Sequence, residues 1–555
     1  MIQLGISAFY HDAAACIVKD GKVIAAAEEE RFTEIKHDYS FPVNAINFCL
    51  KQANIDIKDV NEVCWYEIPE LKKNRVLTTF KKRWLKTFFL KKKFLSDFEK
   101  NSPEKLLKSI GYEGVINYVS HHLSHAAFAY LTSPYKDADI LVVDGVGEWD
   151  TVSIWKAKNK KIELVDSIQF PYSLGMFYST MTAFLGFKPN EGEYKVMGLA
   201  PYGNPGKFYE KLKSIFEGNS TDSMSMNQKY FTWEYSEKGM FNANLAKLLE
   251  LEPRLPGEEV TSEHMDLAAA TQAIYEFYFL KLVSEIKQKG TSENLCLGGG
   301  CAYNGVANNK AYKYYNNIFI PFAPSDAGSA IGACLLNYEG PLSANNSPYL
   351  GEEIYSQDIP IILEQYRDKL SWLEFDDDQL CSRVSKLILN GKIVAWVQGR
   401  MEFGARALGN RSILASPHEP KMREKLNYVI KKREGFRPFA PSVLAEDVNK
   451  YFIAKDSVPY MNQVVKVKNG AKSLFPAATH VDNTARIQSV HKESNPKYYL
   501  LLSELKRHSG HGVVLNTSYN LKDQTITRTA QQAIDRYINS DIDYLVLNNY
   551  IIIKK

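Results

Sequence analysis

Apolar residues open the chain in short runs that stop at turn residues. Ile2 to Ala8 reads as a buried strand, Ala13 to Val18 as a second and Lys22 to Ala27 as a third, with Asp20-Gly21 as the hairpin turn between the last two. The plan returns over residues 139–168. An apolar strand, Asp139 to Val143, runs into Asp144-Gly145-Val146-Gly147, a second strand covers Thr151 to Lys156, and a Lys-Asn-Lys-Lys turn leads to a third. In each copy an acid and small residues follow an apolar strand, where the backbone can approach a phosphate or the acid can hold a metal.

This duplicated strand–acidic loop–strand pattern resembles the actin, sugar-kinase and heat-shock-protein ATPases, which implies a nucleotide lying between two related halves. The pattern ends near residue 340. Gly340-Pro341-Leu342-Ser343-Ala344-Asn345-Asn346-Ser347-Pro348 is turn-rich and aperiodic, and places a domain boundary between 1–345 and 346–555. Beyond it come a helical stretch, a strand from Lys392 to Gln398 and a dense run of Arg and Gly. Residues 72–93 interleave Lys and Arg with aromatic residues including Trp84, Phe88 and Phe89, with Phe94 just beyond. A solvated helix pair with an apolar underside is the preferred reading, ahead of a membrane or nucleic-acid surface.

Composition narrows the class. At 555 residues the chain is too long for one core, and 45% hydrophobic with 24% charged residues is ordinary for a globular protein. A net charge of +4 gives no overall nucleic-acid footprint. Seven cysteines without a C-x-x-C pair argue against a disulfide framework or zinc ribbon. The first residues lack the basic and apolar regions of a signal peptide, and no apolar run reaches membrane-spanning length, so a cytoplasmic chain with no membrane or nucleic-acid partner is expected.

Four segments carry candidate chemistry. In Ser120-His121-His122-Leu123-Ser124-His125, a helix would put His121 and His125 on one face at chelating distance; a structural pair is the alternative. Asp144, and Asp326 in Pro324-Ser325-Asp326-Ala327-Gly328, would complete a site of two imidazoles and two carboxylates that suits Fe(II), Mn(II) or Zn(II) better than Ca(II). The Gly298-Gly299-Gly300 triplet and Asn304 read as one wall of a nucleotide cleft, or as a tight strand-to-helix turn. Lys195, in Glu191-Gly192-Glu193-Tyr194-Lys195, could meet a phosphate and Glu191 a ribose hydroxyl, the alternative being a solvated loop. In the second half, arginines are embedded among glycines and apolar residues at 399–412 and 431–441. Buried arginines must be paired or meet an anion, which makes this half the anion-binding one.

Together, H-x-x-x-H at 121–125, the glycine-rich 297–304, E-F-G-x-R-A-L-G-N-R-S at 402–412, F-R-P-F-A-P at 436–441 and N-T-S-x-N at 516–520 resemble the O-carbamoyltransferases of antibiotic and nodulation-factor biosynthesis. The resemblance implies an α/β chain: a duplicated actin-like (ribonuclease H-like) ATPase domain, similar to the threonylcarbamoyl-transferring protein, followed by a YrdC-like α+β domain. It implies that carbamoyl phosphate and ATP give carbamoyl-adenylate in the second domain, and that the first transfers the carbamoyl group to the hydroxyl of a small-molecule acceptor. Implied metal ligands are His121, His125, Asp144 and Asp326, for Fe(II) with Mn, Mg or Zn as alternatives. Asp12, Lys195, Gly298, Gly299, Gly300 and Asn304 belong to the implied nucleotide cleft, and Arg406, Lys431, Arg437, Arg486 and Asn516 to the anion and adenylate site. His11 matches the position acting on the acceptor hydroxyl, as a neutral imidazole and general base. Ala405 stands where the family usually has Pro, and Lys522-Asp523-Gln524-Thr525 replaces a typical Gly-Glu-Pro stretch. An actin-like metabolite kinase and a non-catalytic nucleotide or anion sensor are the alternatives, and a homodimer is left open.

Overall fold

The computed structural model describes residues 1–82, 84–217, 224–236, 239–290 and 292–555; the side chains of residues 84–89 are outside the description. Two compact units are present. The first comprises Met1–Ala25 and Tyr39–Asn346, the second Ala26–Asp38 and Ser347–Lys555.

The first unit is built from two five-stranded sheets of one topology. Strands β1 (Ile2–Ser7), β2 (Ala14–Lys19), β3 (Lys22–Glu28), β4 (Glu62–Trp65) and β5 (Val115–Tyr118) lie in the order β3-β2-β1-β4-β5. The β1–β2 pair is antiparallel, while β4 runs parallel to β1 and β5 to β4. In the second sheet, β6 (Asp137–Val143), β7 (Asp150–Lys158) and β8 (Lys161–Gln169) take the places of β1, β2 and β3. The strands Asn294–Gly298 and Asn317–Phe319 follow β6 on its other side. Parallel and antiparallel neighbours also repeat. This is the duplicated ribonuclease H-like plan of actin-type ATPases, and its hairpins lie where the sequence pattern puts them. Asp20 and Gly21 both take positive φ, 49° and 72°, as the two-residue turn between β2 and β3 requires.

Strands buried on both faces need apolar residues at nearly every position. Leu4 and Ile6 of β1 and Ile140, Leu141 and Val142 of β6 are fully buried, each contributing about 1.5–3 kcal/mol. The helix His121–Leu131 packs on the helix Asp326–Asn337 at van der Waals distance between backbones. A Cβ built on Gly332 would lie 2.0 Å from Ser124 O, so this approach exists only because residue 332 is glycine.

The second unit centres on a mixed eight-stranded sheet, in the order Leu370–Glu374, Tyr550–Lys554, Tyr544–Leu547, Val394–Val397, Arg411–Ala415, Val513–Ser518, Ala440–Leu444 and Gln488–Val490. Two pairings are parallel, Val394–Val397 with Tyr544–Leu547 and Ala440–Leu444 with Gln488–Val490. Its buried sheet faces carry Val394, Ala395, Trp396 and Val397, all without exposed surface. The N-terminal segment belongs here because its charges are met here. The carboxylate of Glu28 accepts from Gly404 N at 2.7 Å, and Arg31 donates to Gly404 O at 3.1 Å. Among the described residues, no helix is long and apolar enough to cross a membrane.

Candidate functional site

In the first unit the four expected ligands meet. His121 and His125 lie on one face of the first turns of their helix, Asp144 follows β6, and Asp326 opens the helix packed against them. His121 Nε2 is 2.9 Å from Asp144 Oδ2, 3.1 Å from His125 Nε2 and 3.6 Å from Asp326 Oδ1. His125 Nε2 is 3.5 Å from Asp144 Oδ2 and 3.4 Å from Asp326 Oδ1. All four are buried. Donor atoms bound at about 2.1 Å to one ion lie about 3.0–3.4 Å apart in octahedral or tetrahedral geometry. The observed spacings bracket that range, so the residues fit a transition-metal ion. Asp326 Oδ2 and His121 Nδ1 are buried and have no hydrogen-bond partner among the described residues. His125 Nδ1 is steadied by Ser329 Oγ at 3.0 Å, an outer partner of the kind that fixes a ligating imidazole.

The charges are interlocked. Burial opposes charge on His121, yet Asp326, Asp144 and Glu148 carry its imidazole up to about 9. Burial would raise Asp144, but the hydrogen bonds from His121 and His125 hold it well below the usual carboxylate range. Between them, His122 is pushed well below its ordinary value by burial and by the charge on His121.

Two residues that sequence reasoning missed hold this arrangement. Glu148, also buried, accepts from His121 N at 2.9 and 3.1 Å and from Ile68 N at 2.8 Å, so its carboxylate caps the histidine helix. Ser329 is the other. Glu148 lies four residues beyond Asp144 in the same acidic loop, and that proximity was the available signal.

The glycine triplet borders the cluster. Gly299 has φ 84°, and a Cβ there would meet Val143 O at 2.3 Å, so the loop needs glycine to lie against the end of β6. Gly300 N donates to Asp144 Oδ1 at 3.2 Å, and a Cβ on Gly298 would lie 3.1 Å from His125 O. Asn304 caps the following helix through Ala307 N and exchanges hydrogen bonds with Gln272 at 3.1 Å. Its side chain has a structural task here. Lys195 lies on the helix Glu193–Leu199 with its ammonium 5.3 Å from the Phe187 ring, and Glu191 pairs with Lys188.

His11 lies between two acceptors. Its Nδ1 faces Asp12 Oδ2 at 2.8 Å and its Nε2 faces Asn190 O at 2.7 Å. Burial resists the charge, but the Asp12 carboxylate overrides it and lifts the imidazole to about 10. That pairing favours the charged ring over the neutral imidazole expected of a general base. Asp12 also accepts from Ser325 Oγ at 3.4 Å, one residue before Asp326, which brings the His11 loop beside the cluster of His121, His125, Asp144 and Asp326.

In the second unit the arginines divide. Arg411 is fully buried, and its guanidinium donates to Gln398 O, Asn410 O, Glu352 O, Gly399 O and Arg528 O at 2.6–3.4 Å. Arg400 donates to Leu350 O and Gly351 O. Backbone carbonyls, several of them in loops, answer this pair in place of an anion.

Lys431 is different. It is buried, and its ammonium donates to Ser518 O at 2.5 Å, Asn520 O at 2.9 Å and Asn520 Oδ1 at 2.8 Å. Burial, then Arg433, Arg437, Lys36 and Arg536, holds it well below the usual lysine range. Asn516, on the strand ending at Ser518, donates to Ala407 O at 3.2 Å and Gln488 Oε1 at 3.0 Å, which links it to the residue after Arg406 and the strand after Arg486. Asn516 Oδ1 is buried and has no partner among the described residues. Lys431, Arg437, Asn516 and the segments bearing Arg406 and Arg486 thus gather at one end of the sheet. Lys36, from the N-terminal segment, was not anticipated in this group.

With this geometry in place, the sequence comparisons become informative. Residues 2–335 match the family described as carbamoyltransferase N-terminus, and residues 385–554 that described as carbamoyltransferase C-terminus. The uncharacterized protein sll1178 of Synechocystis is 39% identical over 99% of this chain and 96% of its own. Nodulation protein NolNO of Sinorhizobium fredii is 34% identical over 99% of this chain and 79% of its own. The 3'-hydroxymethylcephem-O-carbamoyltransferase of Amycolatopsis lactamdurans is 29% identical, covering 73% of this chain and 74% of its own.

Proposed function

This chain belongs to the carbamoyltransferase family, and from that premise we propose that it is an ATP-dependent O-carbamoyltransferase acting on a hydroxylated small molecule. Water hydrolyses carbamoyl phosphate to carbamate and inorganic phosphate, and a carbamate oxygen attacks the α-phosphorus of ATP. Pyrophosphate leaves and carbamoyl-adenylate forms. The acceptor hydroxyl then bonds to the carbamoyl carbon, the bond from that carbon to the phosphate oxygen breaks, AMP departs and a proton passes to solvent.

The observation that carries this reading is the match of residues 2–335 and 385–554 to the two carbamoyltransferase domains, with Lys431, Arg433, Arg437, Lys36 and Arg536 close enough in the second unit to act on one another's charge. Arg406, Arg437 and Arg486 are assigned to the anion, and Asn516 Oδ1 to a donor of the carbamoyl group or adenine. In the first unit Gly298, Gly299, Gly300, Asp12 and Lys195 border the nucleotide, with Asn304 supporting the loop from behind.

His121, His125, Asp144 and Asp326 would hold the metal, with Fe(II) the assigned ion and Mn, Mg and Zn as alternatives. Such an ion supplies charge to neutralise phosphate oxygens and polarise a carbonyl. His11 is assigned to the acceptor hydroxyl, with Asp12 orienting its ring. Pyrophosphate release from ATP that depends on carbamoyl phosphate tests the reading; a kinase would instead release ADP, and a sensor neither product.

A further inference from the structure

The charge of this chain is concentrated in one place. Residues 71–96 contain ten Lys and Arg and no Asp or Glu, a net +10, whereas the whole chain carries +4. Everything outside the segment is therefore net −6. The segment lies between β4 and β5 and forms two helices, Pro69–Lys82 and Trp84–Lys100. Phe80 meets Phe94 edge to face at 6.1 Å, and Phe94 lies 5.9 Å from Phe98, so an aromatic seam holds the pair together.

The basic residues divide along this helix pair. Near its base Lys72 pairs with Glu67 at 3.0 Å, Lys73 with Glu70 at 3.3 Å, and Arg75 stacks on Phe170 at 5.1 Å. Toward the turn, Lys81, Lys82, Lys91, Lys92 and Lys93 are all exposed, and the nearest acids in sequence are Glu70 and Asp97. Between these lysines the sequence reads Trp-Leu-Lys-Thr-Phe-Phe-Leu over residues 84–90.

We propose that the helix pair over residues 69–100 is a docking surface for an anionic lipid bilayer, with Lys81, Lys82, Lys91, Lys92 and Lys93 meeting the headgroups. Three features select this occupant. A cluster of Lys at a membrane surface is attracted by about 1 kcal/mol per residue. In sequence, residues 84–90 interleave Trp, Phe and Leu with Lys, the residue types of segments at the boundary between headgroups and acyl chains. Eight of the ten basic residues are Lys, whereas the planar, bidentate guanidinium of Arg is favoured for reading nucleic acid. With no spanning helix among the described residues, the contact is peripheral. The inference departs from the expectation of no membrane partner and is independent of the carbamoyl-transfer reading.

The test is flotation of the full chain with phosphatidylcholine vesicles, alone or with about a third phosphatidylglycerol, at low and high salt. The chain should float only with the anionic vesicles and only at low salt. The variant changing Lys81, Lys82, Lys91, Lys92 and Lys93 to Gln should keep the wild-type melting temperature and bind anionic vesicles about tenfold or more weakly. Equal binding to both vesicle types, no binding to either, or full binding by the folded five-Gln variant would overturn the proposal. Displacement from the vesicles by an equal charge of RNA or polyglutamate would overturn the lipid assignment.

Discussion

His121 Nε2 and Asp144 Oδ2 lie 2.9 Å apart, although they are 23 positions apart in the chain and belong to different elements, a helix and the loop after β6. The contact exists because Glu148, in the same loop, caps the helix that carries His121. Ligand and scaffold are thus tied to each other through one short stretch of chain.

Removing one partner leaves the other buried and uncompensated. His121→Ala and Asp144→Ala should each lose the bound metal, read by elemental analysis of the purified protein. Each metal-free variant should be about 3–5 kcal/mol less stable than metal-free wild type in denaturant unfolding. Retention of stoichiometric metal by either variant would remove these residues from the ligand set.

Glu148→Ala deprives His121 N and Ile68 N of their acceptor. A loss of about 1–2 kcal/mol is expected by thermal unfolding. Glu148→Gln keeps an acceptor oxygen and should recover most of it. Equal loss in both variants would mean that the charge, rather than the cap, is what matters.

The first strands and hairpins of each half were legible because the strands are apolar runs and their turns carry turn residues at fixed offsets, as at Asp20-Gly21. The four-ligand cluster was legible in part: His121 and His125 share a helix face by spacing alone, while Asp144 and Asp326 were placed by company and resemblance. Glu148 escaped because a capping carboxylate looks like any loop acid until the helix end it serves is seen. The upward shift of His11 escaped for a different reason: Asp12 is its neighbour in sequence, but only the folded loop shows that the carboxylate faces the ring and that burial does not cancel its effect. Arg400 and Arg411 show the limit of composition. An embedded guanidinium needs acceptors, but sequence cannot say whether they are phosphate oxygens or nearby backbone carbonyls.

Gly332→Ala should drive the two ligand-bearing helices apart, since the new Cβ would lie 2.0 Å from Ser124 O. Overpacking of this kind costs about 1–3 kcal/mol. Metal affinity should fall along with stability, because His125 and Asp326 ride on the two helices. An unchanged metal dissociation constant would show that the cluster tolerates the shift.

His11 gives a pH prediction with a definite sign. Its value in the folded chain, about 10, is above the unfolded 6.5, so its contribution to stability is complete below pH 6.5 and is lost as pH rises through 10. If the imidazolium is the working form, carbamoyl transfer stays level through neutral pH and declines as pH rises through 10. Asp12→Asn should move that decline to lower pH. A rate that instead climbs with pH through this range would restore the general-base role.

Carbamoyl-phosphate-dependent exchange of labelled pyrophosphate into ATP isolates adenylate formation from transfer, and compares the two units in one assay. The account predicts exchange in the wild type, exchange largely retained in His121→Ala, and exchange reduced about a hundredfold or more in Lys431→Met, where the buried amine beside Arg433 and Arg437 is lost. His121→Ala should at the same time fail to carbamoylate an acceptor. Exchange that is absent from the wild type, or that survives in Lys431→Met while vanishing in His121→Ala, would contradict the assignment of adenylate formation to the second unit.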